Sequence, residues 1–521
     1  MKKKTSLILF LSALATVQTV AQSTAAERLT DDLRYKAEAQ VSISDGATPL
    51  WLNANKYGLS SLDKTNGNLR AGLERPLAAD SARRWAIGYG LDVAVPFHYT
   101  SHFVVQQAFA EVRWLHGVFT VGSKQQSMEL RNQQLSTGSQ TFGINARPVP
   151  MARLSLPDYW ELPFAKGWLG LKGHVAYGMT TDDGWQKDFT QQQKRYTEKT
   201  LLHTKAGYLR IGRTDKPLTV ELGLEMACQF GGTMHAVNND PSLTMEGEKG
   251  LSGMLKAFVP GGSDATDAGY ENASGNHLGS LLARINYQTD DWKLGVYADH
   301  FFEDHSSMLM VDYDGYGSGA EWDTKKDSRY FLYDFKDMQL GAELNLKRGS
   351  WLRDIVVEYV YSKYQSGPVY HDHTQNISTH IGGRDDYYNH NLYTGWQHWG
   401  MVMGNPLYRS PLYNDDGAID VRNNRFVAWH LGLAGAPLPG LDYRLLATWQ
   451  KGYGTYDLLF DNPKENVSLM AEASYSFPDR SCMAGWALQA AVGMDRGGIY
   501  GDNTGVQLTV RKTGLLIKKK K

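Results

Sequence analysis

Strict alternation between apolar and hydrophilic side chains is the feature that most constrains this chain. Between Leu218 and Phe230, apolar residues occupy every second position, and the positions between them are polar or small. A β-strand places successive side chains on opposite faces, so this segment has one apolar and one hydrophilic face. The segment is longer than the roughly 9 to 11 residues that a strand needs to cross a bilayer. It therefore predicts a membrane-spanning strand.

The same alternation recurs along most of the chain. Its clearest segments are Leu33 to Ile43, Trp85 to Val95, Leu169 to Met179, Leu281 to Tyr287, Trp292 to Ala298, Met338 to Leu346, Ile355 to Tyr361, Val427 to Leu433, Leu441 to Trp449, Val467 to Phe477, Trp486 to Met494 and Val506 to Val510. Weaker candidates lie at Leu69 to Leu73, Ala108 to Trp114, Val118 to Lys124, Met151 to Leu156 and Leu202 to Ile211. Side chains on the hydrophilic face, such as Lys172, His174 and Arg284, would point into a wet lumen. Together these segments predict an all-β fold, a transmembrane antiparallel up-and-down β-barrel of about 18 strands.

The lengths of the connections favour the same fold. Short links such as Thr289 to Asp291 alternate with long segments such as Gly231 to Gly279 and Gln365 to Asn424. Bacterial barrels have short periplasmic turns and long extracellular loops, whereas a soluble β-propeller or double sandwich has no reason to sort its loops in this way. The mean hydropathy of -0.43 fits a barrel, because its strands need apolar residues only at alternate positions.

The N-terminal segment predicts export. Residues 1–21 combine Lys2 to Lys4, an apolar run and Thr19-Val20-Ala21, which is typical of a signal peptide. The alternative, an N-terminal membrane anchor, is disfavoured because the apolar run is too short. We therefore expect a Sec-exported protein of the bacterial outer membrane, with a short periplasmic arm over 22–32, a barrel over 33–514 and a basic C-terminal tail over 515–521.

Composition and motifs argue against several function classes. Lys plus Arg (54) nearly balance Asp plus Glu (55), so no basic surface for nucleic acid is expected. The two cysteines give neither a disulfide framework nor a metal set. His371, His373 and His380 match no strong zinc spacing, and we interpret them as solvated loop histidines. Nucleophile-elbow, phosphate-loop and zinc-protease motifs are absent from the sequence, so we expect no catalytic centre, no metal and no cofactor.

The long loops contain the candidate binding residues. Aromatic faces stack on sugar C–H surfaces, while Asn, Asp and Arg bind hydroxyls or acidic sugars. The candidates are Arg384, Asp386, Tyr388, Asn389, His390, Trp396 and Trp399 in one loop, and Trp51, Asn53 and Asn55 after the first strand. Two interpretations remain open for the first group: a carbohydrate-contacting surface, or a loop that folds inward and caps the barrel. Trp51 could equally belong to a girdle at the membrane interface.

The chain resembles the Wzi-type capsule-assembly outer-membrane proteins, in the form common in Bacteroides-like bacteria. The resemblance rests on the segment Thr48 to Gly58, with Tyr387-Tyr388-Asn389-His390, Gly395-Trp396 and Gly404-Asn405-Pro406-Leu407. It implies an eighteen-stranded, lectin-like barrel that attaches or assembles capsular polysaccharide without catalysis. The partners it implies are capsular or other surface polysaccharide, outer-membrane lipid, lipopolysaccharide and capsule-export machinery. The family's N-terminal helical plug does not fit the short arm here, so long loops are expected to close the lumen instead.

The competing hypotheses are a porin or oligosaccharide channel and an outer-membrane hydrolase. Blockage of the lumen separates capsule attachment from a channel, and the sequence alone does not show whether the loops fold inward. The adjacent Asp385 and Asp386 are the main hint of glycoside hydrolysis. Adjacent carboxylates in a loop more often belong to a turn, so the hydrolase is the weakest of these hypotheses.

Overall fold

The computed structural model describes residues 29–81, 83–259, 275–303, 309–332, 335–371, 373–376 and 381–517. The predicted signal peptide, residues 22–28 of the predicted arm, His380 and Lys518 to Lys521 lie outside the described residues. Within the described ranges, eighteen long strands pair in chain order, each antiparallel to the next. The first strand also pairs with the last, which closes the sheet into a barrel.

The barrel strands are numbered here in chain order. They are β1 (Leu33–Ser44), β2 (Thr65–Arg75), β3 (Trp85–Phe97), β4 (Val104–Trp114), β5 (Gly117–Ser123), β6 (Met151–Glu161), β7 (Leu169–Met179), β8 (Leu201–Ile211), β9 (Leu218–Phe230), β10 (Asn276–Gln288), β11 (Trp292–Glu303), β12 (Met338–Leu346), β13 (Asp354–Tyr361), β14 (Phe426–Leu438), β15 (Leu441–Gly454), β16 (Leu459–Ser476), β17 (Trp486–Gly497) and β18 (Asn503–Ile517).

Helices and short strands occupy the connections. The α-helices are α1 (Leu50–Asn53), α2 (Trp185–Phe189) and α3 (Gly250–Phe258). The 3-10 helices are Leu77–Asp80, Pro163–Ala165, Val237–Asn239, Pro241–Leu243, Gly319–Glu321 and Pro411–Tyr413. The short strands are Tyr196–Glu198, Thr233–His235, Met245–Glu246, Leu309–Tyr313, Ser328–Leu332, Ser366–Tyr370, Ile381–Arg384, Gln397–His398 and Met401–Val402. Among the described residues, no helix is long and apolar enough to cross a membrane.

The outer surface of the barrel suits a lipid environment. On β9, Leu218, Leu222 and Leu224 remain exposed because they point away from the lumen, and the same holds for apolar residues on the other strands. At the periplasmic edge, Trp85 and Trp114 stack with their ring centroids 6.0 Å apart. An apolar belt bordered by aromatic rings is what a transmembrane barrel presents to lipid.

The predicted strands and lumen-facing side chains are confirmed. Each of the segments with alternating residues forms part of a barrel strand, and Leu169–Met179, Leu218–Phe230 and Met338–Leu346 have the predicted bounds. The end of the last strand differs from the predicted boundary between barrel and tail, since β18 continues past residue 514 to Ile517. Leu515 pairs there with Arg34 and Ile517 with Leu33, so the sheet extends into the segment predicted as a tail.

Connection lengths follow the predicted alternation. The turns at the end of the barrel where β1 begins are short, such as residues 115–116, 289–291 and 439–440, while most connections at the other end are long. Three connections at the long-loop end are also short, at residues 98–103, 455–458 and 498–502. The short turns define the periplasmic end, and the long loops define the extracellular end.

The native Cys482 tests this orientation. It is exposed and lies in the turn between β16 and β17, so a polymer-linked maleimide too large for any pore should label it only after the outer membrane is permeabilised. Cys228 is buried and should not react. A Ser242→Cys control, in an exposed segment of the connection between β9 and β10, should be labelled on intact cells. Labelling of Cys482 on intact cells would invert the assigned orientation.

Candidate functional site

Three connecting segments fold back into the barrel and fill much of its cross-section. We call them the plug, which consists of residues 48–58, 128–147 and 385–424. Their apolar side chains form one buried cluster with strand residues. The plug contributes Leu50, Trp51, Leu52, Ala54, Leu135, Ala146, Tyr387, Tyr388, Trp396, Met401, Val402, Met403, Leu407, Tyr408 and Val421 to that cluster. The lumen of this barrel therefore contains a core of its own.

A buried ion pair joins the plug to the barrel wall. Arg131 of the plug lies 2.6 Å (Nη2 to Oδ2) from Asp299 on β11, and their side chains are 1% and 0% exposed. The same guanidinium donates through Nη1 to Gln339 Oε1 on β12 at 2.7 Å and to the Gly138 carbonyl at 2.8 Å. Desolvating two charges is costly, and the further hydrogen bonds to Arg131 offset part of that cost.

Further hydrogen bonds fix the plug to other parts of the wall. They join Asn132 Nδ2 to Glu343 Oε1 on β12 at 3.0 Å, Thr137 N to Glu358 Oε2 on β13 at 2.6 Å, Leu135 O to His430 Nε2 on β14 at 2.8 Å, Trp51 Nε1 to Thr448 Oγ1 on β15 at 3.0 Å and Leu50 N to Asp495 Oδ2 on β17 at 2.9 Å. Lys56 Nζ donates to Gln507 Oε1 on β18. These contacts are spread over the wall from β11 to β18, so the plug is held from several directions.

The largest aromatic residues of the predicted carbohydrate surface lie inside the plug. Tyr388, Trp396 and Trp51 are almost fully buried and share one cluster. The Tyr388 amide donates to Glu303 Oε1 at 2.6 Å, and its hydroxyl donates to the Gln140 carbonyl. The Trp396 indole donates to the Thr141 carbonyl at 3.1 Å. Of the two interpretations left open for this loop, inward packing is the one observed, and Trp51 is not a girdle residue.

The predicted amide and imidazole residues also serve the plug. Asn389 exchanges two hydrogen bonds with the backbone of Val421, at 3.0 and 2.9 Å, and Asn53 is buried. Asn55 Nδ2 donates to the Thr137 carbonyl at 2.9 Å. His390 Nδ1 accepts from the Leu392 amide at 3.0 Å, and burial lowers the pKa of its imidazole to about 4. These contacts fix loop geometry, so Asn389, Asn55 and His390 already have hydrogen-bond partners within the protein.

The last three predicted residues lie nearer the surface. Arg384 is exposed and forms an ion pair with Asp457 at 2.6 Å. Asp386 accepts a hydrogen bond from Asn424 Nδ2, and burial raises the pKa of this carboxyl group. The Arg147 guanidinium lies 4.2 Å from the centroid of the half-buried Trp399 ring. The ten predicted residues thus do not form one outward surface.

A cavity remains between the plug and one side of the wall. Its volume is about 140 Å³, and it lies against β5 to β9. Its lining includes charged or polar residues from the wall and from the loop after β5, namely Thr120, Lys124, Glu129, Arg153, His174, Thr204, Tyr208 and Glu225. The alternation of side chains in the sequence indicated that His174 faces the lumen. It gave no indication that Glu129 lines the cavity, because Glu129 lies in a loop.

Ion pairs border this cavity. Lys124 Nζ lies 2.6 Å from Glu111 Oε2 on β4, and Lys172 Nζ lies 2.7 Å from Glu129 Oε2. Lys172 is two residues closer than His174 to the periplasmic start of β7, so the Lys172–Glu129 pair marks the periplasmic side of the cavity. Both of its side chains retain partial exposure, 20% and 26%.

A second, wider chamber occupies the periplasmic part of the barrel. Its volume is about 540 Å³, which is about 400 Å³ more than that of the first cavity. It is lined by β1 to β4 and β18. Arg34, Lys36, Glu74 and Asp92 are among its lining residues. Beside it, Arg70 pairs with Asp92 at 2.6 Å and Arg511 pairs with Glu38 at 2.6 Å. Charged side chains therefore line the lumen at both levels, beside apolar residues such as Phe142 and Phe109.

The loop histidines do not form a metal site within the described part of the chain. His371 packs against Tyr313 with ring centroids 4.0 Å apart, and His373 stacks on Tyr316 at 3.5 Å. Among the described residues, no group of three or more His, Cys, Asp or Glu side chains could hold a metal ion. His380, the third histidine of the sequence pattern, lies outside the described residues.

Comparison with known proteins identifies similar folds but no family. No protein-family model and no curated protein matches the chain. Among solved structures, OccK10 (OpdN) of Pseudomonas aeruginosa is 10% identical, with a TM-score of 0.44 and coverage of 94% of this chain and 100% of that chain. OccK8 (OprE) of the same organism is 9% identical, with a TM-score of 0.45 and coverage of 93% and 98%. A loop-deletion form of OmpT, an outer membrane protein of Vibrio cholerae, is 8% identical, with a TM-score of 0.35 and coverage of 93% and 98%.

This chain is a bacterial outer-membrane β-barrel. The prediction that it is a lectin-like capsule-attachment protein is wrong, because the proposed sugar-stacking residues Tyr388 and Trp396 are buried in the plug. The physical reason is that folding inward removes aromatic loop residues from water. The sequence pattern of such a loop is the same as that of an outward binding surface. The Wzi-type resemblance itself is untested by these comparisons.

Trp396 and Arg384 provide a contrast between buried and exposed members of the predicted group. Trp396→Ala should destabilise the plug by about 3 to 5 kcal/mol, because it removes a fully buried side chain. Arg384→Ala should cost less than about 1 kcal/mol, because its ion pair is exposed to solvent. Limited proteolysis in detergent measures how well the plug is protected in each variant. Heat-modifiability shows whether the barrel itself remains folded. Equal protection of the plug in the two variants would contradict its assignment as a packed core.

Lys56 should make plug docking depend on pH. Burial lowers the pKa of its amino group from 10.5 to about 8, so between these values the undocked segment binds more protons than the docked one. Docking should therefore become more favourable as pH rises from about 8 towards 10.5. The measurement is plug proteolysis across this range for the parent protein and Lys56→Met. Parallel pH profiles for the two proteins would show that Lys56 does not carry the dependence.

Proposed function

We propose that the barrel is a narrow channel through which small hydrophilic solutes cross the outer membrane. The observation that carries this proposal is the charged cavity between the plug and β5 to β9. Barrels of sixteen to eighteen strands are wide enough to enclose an aqueous channel. The plug reduces that width and leaves the hydrophilic side of the wall as the path.

The lining of the path favours solutes that carry polar or charged groups. Lys124 and Arg153 supply positive charge, while Glu129 and Glu225 supply negative charge on the same cavity. Charged side chains that line a pore replace part of the hydration shell of a passing solute, and they set which charges it accepts. An apolar solute would gain no such compensation for the water that it displaces.

The Lys172–Glu129 ion pair is the constriction in this proposal. It lies at the periplasmic side of the cavity, between the wall and the plug, with an Nζ to Oε2 distance of 2.7 Å. The larger chamber, lined by β1 to β4 and β18, lies at the periplasmic end of the lumen. Because both side chains are partly exposed, they are able to move without breaking the buried core of the plug.

The proposed passage involves no chemical step, so the chain acts without catalysis and without a cofactor. We also propose that residues 1–21 direct Sec export and that the barrel is then inserted into the outer membrane. The charged lumen and the closed sheet support a transport role. This support does not depend on the presence of a surface glycan.

Planar-bilayer conductance tests the channel. The parent protein should give small, resolvable current steps, and Glu129→Ala with Lys172→Ala should enlarge them roughly twofold by removing the constriction. The matched control is Lys451→Ala with Glu465→Ala, which removes a Lys–Glu pair of 3.0 Å from exposed positions near the extracellular end of β15 and β16. It should leave the conductance unchanged. If neither the parent nor the Glu129/Lys172 variant conducts, or if both double variants change conductance equally, the proposal fails.

A further inference from the structure

Helix α3 lies against the outside of the barrel wall near its extracellular end. Gly253 and Ala257 on the helix are buried, and Ala257 packs in one cluster with Cys228 and Phe230 of β9. Cys228 shares its strand face with Leu222 and Leu224, which point outwards and remain exposed. The helix therefore covers the upper part of the lipid-facing surface and not the lumen.

Hydrogen bonds hold α3 in this position. The Tyr177 hydroxyl on β7 donates to the Met254 carbonyl at 2.9 Å. Lys205 on β8 donates to the carbonyl of Phe258, the last residue of the helix. The helix is thus attached to three consecutive strands, β7, β8 and β9, and its orientation against the wall is fixed.

The remaining surface of α3 is divided into an apolar and a polar side. Leu251, Leu255 and Phe258 are 75%, 63% and 39% exposed. Their spacing of four and three residues places them on one stripe of the helix. Ser252 and Lys256 lie on the other side, and Lys256 pairs with Glu248 at 2.7 Å. The Phe258 ring packs partly on the wall, 5.4 Å from the His203 ring of β8, but packing against the wall does not account for Leu251 or Leu255.

The apolar stripe is continuous with an interface that the barrel already has. Leu224 and Met179, on the strands under the helix, belong to the exposed apolar belt. A helix with one apolar and one charged face lies in the plane of a membrane, with its apolar face among the acyl chains. Long lysine side chains meanwhile reach back towards water.

We propose that α3 is an interfacial anchor whose apolar stripe, Leu251, Leu255 and Phe258, inserts between acyl chains of the outer leaflet. Its polar side then lies at the level of the lipid headgroups. The occupant of this surface is membrane lipid. Anchoring would hold α3 beside the barrel wall, and it does not depend on whether the lumen conducts.

Site-specific fluorescence tests the anchor in the full-length barrel. In a Cys482→Ser background, the buried Cys228 stays unlabelled, and an environment-sensitive dye is attached to Leu255→Cys or to Ser252→Cys. The labelled barrels are reconstituted into phosphatidylcholine vesicles with or without nitroxide groups on the acyl chains. Leu224→Cys, on the lipid-facing side of β9, is the positive control.

The dye at residue 255 should show blue-shifted emission and lose most of its intensity to the acyl-chain nitroxide, as at residue 224. The dye at residue 252 should be quenched mainly by aqueous iodide. Equal iodide quenching at residues 252 and 255 would place the helix in water and overturn the proposal. Shielding of residue 255 from both quenchers would also overturn it, because the stripe would then be covered by protein.

Discussion

Closure of the sheet between β1 and β18 is the constraint on which the rest of the structure depends. Twelve residue pairs join the two strands, from Leu33 with Ile517 to Ser44 with Gly505. A sheet in lipid has no water to satisfy an unpaired edge, so an open sheet of this length would leave costly backbone donors and acceptors. Once the edge is closed, outward positions must be apolar and inward positions are free to be charged. The apolar belt and the hydrophilic lumen are both consequences of that closure.

Closure at eighteen strands creates a space too wide for wall side chains alone to fill. The plug occupies much of that space with its own apolar cluster, which includes Trp396 and Tyr388. Because the inward wall is polar, the plug must also bring hydrogen-bonding groups to meet it. Arg131 with Asp299 and Thr137 with Glu358 show how it does so. The plug thus resembles a small domain core surrounded by a polar shell, the opposite of the barrel around it.

The strands were predictable from the sequence because their signal is local. Alternation in Leu218–Phe230 requires only that one side of a strand faces lipid, and it needs no knowledge of distant residues. The plug carries no comparable period. Arg131 and Asp299 are 168 positions apart, and Trp51 meets Thr448 across 397 positions, so neither partner identifies the other in a single sequence. The richness of the 384–399 segment in aromatic and amide groups was visible, but those groups serve a buried core as well as a ligand surface.

The position of the cavity follows from how the plug is attached. Hydrogen bonds and the buried ion pair tie it to β11 through β15, β17 and β18, whereas its contact with the cavity residue Glu225 on β9 is a longer one, from Ser139 Oγ to Oε2 at 3.4 Å. Against β6 and β7 the space between wall and plug is instead lined by Arg153 and His174, with the partly exposed Lys172–Glu129 pair below them. Charged side chains therefore border the cavity on both its wall side and its plug side. The barrel thus contains both a packed plug and a cavity beside it that charged side chains border.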